Sequence, residues 1–482
     1  MSKTKLPTIT LVVALFWHTM FFLNSPKLTW IPAFLNTWFF EKGLTYYKDF
    51  IQLHFPLPHL IAYPLYRFTN WNILVEPLMA YIIVITTTYL VYILTKNKIG
   101  DIGRSLSLIF FSLTFWKAST WIQYSGESVI GIFLVASVFC LYTFWKSSKR
   151  LSIVSFLFGF LFSLSVLSGQ IVIPTITSLV VLYILLLLKK DLTKKETIMT
   201  FLSLCLGLII PFTIISLYFV SKTAFNDFFF WNIPYYLTYA KLARENSSSL
   251  PWAEIFFFFS PAILLTILAI TSKKKDFLSI ILICASLPSI YFIVKSIFHP
   301  HHLLFVLPIL AICLGKSIDL IEQKKQIIIS AIFLLFIFAY AVLNLLPWHI
   351  YRIKQGDRNY NDISTEKNTV EFTLWLKANI GNKKTTVVGD PMLYYYANLT
   401  PANKYYSALP WHFLPIEKTA KEFEYKPPEY WIIDINYLKR FDGPWKATKV
   451  RQFISNKIDD CCSLIYENPP WQVWKANPNT KL

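Results

Sequence analysis

Asp49 stands in the stretch GLTYYKDFIQLHFPLP (residues 43–58), among Tyr, Phe and Leu, with Lys48, Gln52 and His54 close by. Three further polar insertions interrupt apolar surroundings in the same way. WIQYSGESVIGIF carries Gln123, Tyr124, Ser125 and Glu127; VLSGQIVIP carries Ser168 and Gln170; KSIFHPHHLLFVLPIL carries Lys295, His299, His301 and His302. A carboxylate can take the proton of an attacking hydroxyl, and a cation or positioned donor can meet the negative charge that a leaving group gathers. Each residue also has a structural reading. Glu127 suits a helix N-terminus, where the dipole favours an acid; Gln170 suits a turn or an interhelical hydrogen bond; Asp49 suits a helix cap. The histidines suggest zinc, yet Pro300 and the adjacency of His301 and His302 do not put two ligands on one helical face.

The elements that must position these groups are membrane spans. Of 482 residues 55% are hydrophobic and 18% aromatic, mean hydropathy is +0.47, and Leu, Ile, Phe and Val come in runs rather than in alternation. That is the composition of a polytopic membrane protein. Runs of spanning length fall at 8–24, 73–95, 105–121, 127–145, 151–168, 171–188, 197–220, 252–271, 277–297, 303–320 and 327–347, which predicts about eleven spans. The N-terminal run has a basic flank but no small-residue cleavage site after it, so it reads as a retained first helix. Four of the six cysteines lie within apolar runs and Cys461 and Cys462 are adjacent, so no disulfide framework is expected.

The net charge of +19 would suggest nucleic acid in a soluble domain. Here the cations cluster between apolar runs, and every second loop is basic: Lys3 and Lys5; Lys96, Lys98 and Arg104; Lys146, Lys149 and Arg150; Lys189 to Lys195; Lys273 to Lys275; Lys316, Lys324 and Lys325. These are topology signals, and they place the N-terminus in the cytoplasm and everything after Pro347 outside. No nucleic-acid partner is expected. All four polar insertions then face the outer side. The first outer loop, residues 25–72, is longer than a connection requires and too aromatic to be freely solvated, so it is expected to fold back as one or two interfacial helices. Trp30, Trp38, Trp71, Trp121, Trp231, Trp252 and Trp348 fall at outer ends as an aromatic belt.

The domains read as a transmembrane region, 1–347, and an extracytoplasmic C-terminal domain, 348–482. The latter has about 135 residues, enough for one small domain. TTVVGD (385–390) and YWIIDI (430–435) read as strands and 365–380 as a helix, an order that suggests an α/β unit. Its single-glycine VVGDPM is no nucleotide loop.

The stretch EKGLTYYKDFIQLHFPLPHLIAYPLY resembles the first outer loop of the GT-C superfamily of polytopic glycosyltransferases, in particular the prokaryotic protein O-mannosyltransferase and aminoarabinose-transferase group, with Gly43, Tyr47, Asp49, Pro56 and Leu57 on its pattern. GESVIGIFLVASVFCLY is similar to that family's fourth span, GFLFSLSVLSGQIVIP and HHLLFVLPILAICLG to two later segments, and 370–406 to the outer C-terminal domain. The family's second acid beside Asp49 is Phe50 here, the Lys before its Gln is Gly169 and the Tyr after its His is Leu303.

The resemblance implies a GT-C-like cell-membrane enzyme that moves a sugar from a polyprenyl-phosphate donor to an acceptor protein, lipid or glycan on the outer face. It gives Asp49 the role of general base and makes Tyr47, Glu127, Gln170, His301, His302, Arg67 and Lys117 substrate-binding candidates, with Arg244 a further cation for the leaving phosphate. No Asp-x-Asp motif is present, so metal-independent catalysis without a cofactor is expected. The alternatives are a multispan transporter or flippase, against which stand the lack of an inverted repeat and the few ionisable groups at mid-depth, and an inactive assembly protein.

Overall fold

The computed structural model describes residues 5–27, 31–51, 54–119, 124–146, 150–235, 237–238, 252–272, 276–295, 300–321, 327–354, 367–406, 416–443 and 447–477. It is a mostly helical, multi-pass membrane protein with a small C-terminal sheet. The chain folds as two compact units: Met1–Trp30, Leu65–Leu217 and Ser248–Tyr360 form unit 1; Ile31–Pro64, Tyr218–Ser247 and Asn361–Leu482 form unit 2.

Among the described residues 9 helices are long and apolar enough to cross a membrane. They include α1 (Lys5–Asn24), α4 (Val75–Thr95), α6 (Gly126–Lys146), α7 (Leu151–Ser168), α8 (Ile173–Lys189), α9 (Lys194–Ser221), α11 (Trp252–Thr271) and α12 (Phe277–Lys295). The last span runs through α14 (Ile327–Tyr340), a π-helical turn (Ala341–Leu345) and α15 (Leu346–Lys354). Two expected spans are helical but fall short of that measure. α5 (Asp101–Ser119) carries Asp101, Arg104 and Lys117, and α13 (Leu307–Ile321) has only 15 residues.

The reason lies in packing. α5 and α13 lie against each other within unit 1, and α13 is buried along nearly its whole length. A Cβ at Gly103 would sit 2.3 Å from the Gly315 carbonyl oxygen, and one at Gly315 would sit 2.4 Å from that of Gly103. Two glycines thus let the backbones touch, the small-residue contact that drives helix association where lipid and protein are equally apolar. Beyond this contact the Gly100 amide donates to both carboxylate oxygens of Asp319, at 2.9 and 3.1 Å. A helix shielded by protein needs less hydropathy than one facing lipid.

The first long loop forms two helices, as expected: α2 (Ile31–Glu41), in unit 2, and α3 (Leu57–Phe68), which starts in unit 2 and ends in unit 1. After α10 (Phe225–Asn232) and α16 (Lys367–Asn379) come β1 (Lys384–Val388), α17 (Leu393–Tyr396), β2 (Thr400–Pro401), α18 (Ile416–Tyr425), β3 (Tyr430–Asp434), α19 (Ile435–Lys439), α20 (Thr448–Cys461), β4 (Cys462–Asn468) and β5 (Trp471–Ala476). The strand order is β2-β1-β3-β5-β4. β1 runs parallel to β2 and β3, whereas β5 is antiparallel to β3 and β4. In register, Thr386 faces Trp431 and Ile432 faces Val473. The core forms where β-branched and aromatic side chains meet helix faces: Phe423 stacks on Trp431 at 5.1 Å and Phe372 on Trp471 at 4.8 Å.

Candidate functional site

The candidate residues fall on both units. In unit 2, Asp49 lies in the turn between α2 and α3. Its backbone amide donates to the Thr45 carbonyl at 2.9 Å, and the Thr45 amide donates to Asp49 Oδ2, also at 2.9 Å. The side chain therefore caps a turn rather than a helix, and it stays 28% exposed, with Lys426 Nζ 4.0 Å from Oδ1. Lys426 also approaches Glu422 at 3.9 Å.

The loop around Asp49 is held on three sides. The Ile51 amide donates to the Lys404 carbonyl at 2.9 Å, while Lys404 pairs with Asp227 at 3.0 Å. Lys48 donates to the Thr223 hydroxyl at 2.7 Å. Phe50, at the position of the resembled family's second acid, packs between Tyr46 (4.7 Å) and Phe39 (5.5 Å). Tyr47 takes the left-handed conformation, φ 67°, an unusual state for a bulky residue that its surroundings must impose. Its ring is wholly buried against Phe219 and Phe228, and its hydroxyl donates to the His54 carbonyl at 2.7 Å. Burial holds the phenol well above its ordinary ionisation range, against a hydrogen bond from Asn232. Tyr47 thus braces the turn that presents Asp49.

In unit 1, Glu127 lies in the first turn of α6. His301 and His302 occupy a 3-10 turn, Pro300–Leu303, that packs against α5 and α6. One ligand atom from each of Glu127, His301 and His302 lies within 4.8 Å of the others. The two imidazoles stand edge to face, centroids 4.5 Å apart. Successive residues diverge by about 120° on a 3-10 turn, against about 100° on an α-helix, so the two rings meet through the reach of their side chains and not through the backbone. Such a two-nitrogen, one-oxygen set suits zinc, whose donors stand about 3.3 Å apart at bond lengths of about 2.0 Å. The three would have to draw together to hold an ion.

Gln170 is buried and opens the short turn Gln170–Val172 between α7 and α8. Arg67 is exposed in the last turn of α3. Lys117, at the end of α5, pairs with Glu254 at 3.5 Å and lies 5.3 Å from the Trp348 ring. Arg244, Gln123 and His299 fall outside the described residues, as does the side chain of Lys295.

Sequence reasoning missed two features. Glu76, in the first turn of α4, is fully buried, accepts the Tyr66 hydroxyl, and adjoins the buried Tyr124. An acid just before Pro77 reads as an ordinary helix start, so only burial distinguishes it. Lys426 sits in the charged stretch 417–429, where nothing in the residue pattern ties it to Asp49.

No family model and no curated protein sequence matches the chain. Solved structures do. Archaeal oligosaccharyltransferase AglB from Archaeoglobus fulgidus, in complex with an inhibitory peptide and a dolichol-phosphate, matches with a TM-score of 0.52 at 9% identity over 98% of this chain and 74% of that one. The same organism's oligosaccharyltransferase tethered with an NVT acceptor peptide matches with 0.56 at 11% identity, over 98% and 74%. ArnT from Cupriavidus metallidurans bound to undecaprenyl phosphate matches with 0.55 at 10% identity over 98% of both chains. From end to end, this chain has the fold of the polytopic GT-C membrane transferases.

Proposed function

We propose that this protein is a glycosyltransferase that moves a sugar from a polyprenyl-phosphate donor to an acceptor, with Asp49 as the general base. The observation that carries the proposal is the match over 98% of both chains to ArnT bound to undecaprenyl phosphate. AglB in complex with a dolichol-phosphate adds weight, since it shares the fold and also takes a lipid phosphate. Asp49 supports it from within: it is the acid in the outer loop that the chain fixes by backbone hydrogen bonds yet leaves accessible.

In the proposed step the acceptor hydroxyl attacks the anomeric carbon, a new glycosidic bond forms, and the bond from that carbon to the phosphate oxygen breaks. Asp49 takes the hydroxyl proton, and polyprenyl phosphate leaves with the bonding electrons. Glu127 and Gln170 orient donor or sugar. The reaction lies on the outer face of the cell membrane, with the N-terminus in the cytoplasm and the C-terminal domain outside, and the transfer itself needs no metal.

The test is transfer by purified protein in liposomes containing polyprenyl-phosphate sugars, with protein, lipid and glycan acceptors supplied in turn. Transfer that disappears in Asp49→Asn supports the reading. Full transfer by that variant removes Asp49 from the role, and failure to consume any donor removes the proposal.

A further inference from the structure

A separate cationic constellation lies in unit 1, at the end where α5 finishes and α11 begins. Trp348 is its centre. Lys117 Nζ lies 5.3 Å and the Arg352 guanidinium 5.6 Å from the centroid of its indole, so two cations share one ring. Glu254, in the first turn of α11, pairs with Lys117 at 3.5 Å and hydrogen-bonds the Tyr340 hydroxyl. Tyr340 in turn stacks on Phe257 at 4.1 Å.

The π-helical turn Ala341–Leu345 builds this arrangement. On a regular α-helix, residues eight apart are offset by about 80°. One extra residue accommodated in a π turn reduces that to about 20°, so Trp348, and Arg352 one turn further, project on the side that Tyr340 occupies. Pro347, which cannot donate a backbone hydrogen bond, stands two residues past the end of the turn and gives it a cause. Leu346 and Ile350 on the opposite side are exposed, as a lipid-facing surface is.

The geometry points to a site for the phosphate of a membrane phospholipid headgroup. Under the proposed orientation these cations sit at the outer end of the spans, where the positive-inside bias gives them no topological purpose. A guanidinium fork matches a phosphate, an indole belongs at headgroup depth, and Arg352 is only 7% exposed, held in place rather than extended into water. The apolar flank places the phosphate at the protein's rim against bulk lipid. The inference uses the orientation of the proposed function but not its chemistry.

Native mass spectrometry of the detergent-purified full chain tests it. Phosphatidylglycerol, a diglucosyl diacylglycerol that lacks phosphate, and a polyprenyl monophosphate serve as probes. Wild type should retain phosphatidylglycerol and not the glycolipid; Lys117→Gln/Arg352→Gln should lose retention by about tenfold or more, and Arg352→Lys should keep most of it at an unchanged melting temperature. Equal retention by the double variant overturns the proposal. So does one-for-one displacement of phosphatidylglycerol by the polyprenyl phosphate, which would place the pair in the donor's site. Should the double variant fail to fold, Arg352→Gln alone against Arg352→Lys decides the same question. None of these readouts depends on sugar transfer, so the result stands apart from that of the activity test.

Discussion

Lys426 Nζ lies 4.0 Å from Asp49 Oδ1, a pairing across 377 positions of sequence that joins the segment between α18 and β3 to the turn after α2. Both partners are about one-third exposed, so the pair is screened by water and worth at most about 1 kcal/mol of stability. Its interest is positional, since it sets a cation beside the acid proposed to act as base.

Asp49→Asn should lower transfer by about 10² to 10⁴-fold, the usual span for loss of a general base, with little change in melting temperature. Lys426→Met should shift stability by about 0.5 kcal/mol or less and reduce transfer far less than Asp49→Asn does. Initial rates with a polyprenyl-phosphate sugar check both; equal losses in the two variants would mean the pair acts as a unit.

Unit 2 should weaken in acid. His59 is fully buried, near Tyr46 at 6.0 Å, and burial, reinforced by repulsion from His54, pulls its ionisation down to about 3 from 6.5. Between those values the unfolded chain holds a proton that the folded one rejects, so stability is full above about pH 6.5 and falls as pH drops towards 3. The loss is about 1.4 kcal/mol per pH unit, or about 2 kcal/mol at pH 5. Melting curves from pH 7 to 5 should show a steeper decline for wild type than for His59→Asn; parallel curves would count against it.

Zinc should raise the melting temperature of wild type and not of His301→Ala/His302→Ala, by an amount that grows with the logarithm of its concentration. Transfer should survive a chelator. A chelated enzyme that loses transfer and regains it with metal would show that the ion takes part in the reaction.

Gly103→Val should cost about 1 to 3 kcal/mol or more, since its first side-chain carbon meets the Gly315 carbonyl oxygen at 2.3 Å and neither backbone can yield. Detergent melting curves measure this, and Gly103→Ala should fall between Val and wild type.

Much of the fold was legible because membrane spans announce themselves through uninterrupted apolar runs. Even α5 and α13 were marked as spans, although Ser107, Arg104 and a length of 15 residues make them poor ones by hydropathy. The parallel strands β1 and β3 were read from their β-branched runs, whereas the hairpin of β4 and β5 was not, because Ser463 to Ile465 face solvent and blur the alternation. His301 and His302 were judged on backbone direction alone, whereas their side chains bring the rings edge to face. Asp49 and Glu127 stood out as charges in apolar stretches. Lys426 and Glu254 did not, because each matters through a partner far along the chain, and Arg352 did not, because it meets Lys117 only across the Trp348 ring; distance in sequence hides what folding brings together.

The contact between Gly103 and Gly315 also constrains how the protein is made. α5 leaves the ribosome some two hundred residues ahead of α13, carrying Asp101, Arg104 and a row of small hydroxylated residues towards a partner that does not yet exist. Lipid is a poor solvent for that face. Until the tenth hydrophobic run arrives, α1 and α4 are the neighbours that can cover α5, and the bundle closes on the Gly103 face last.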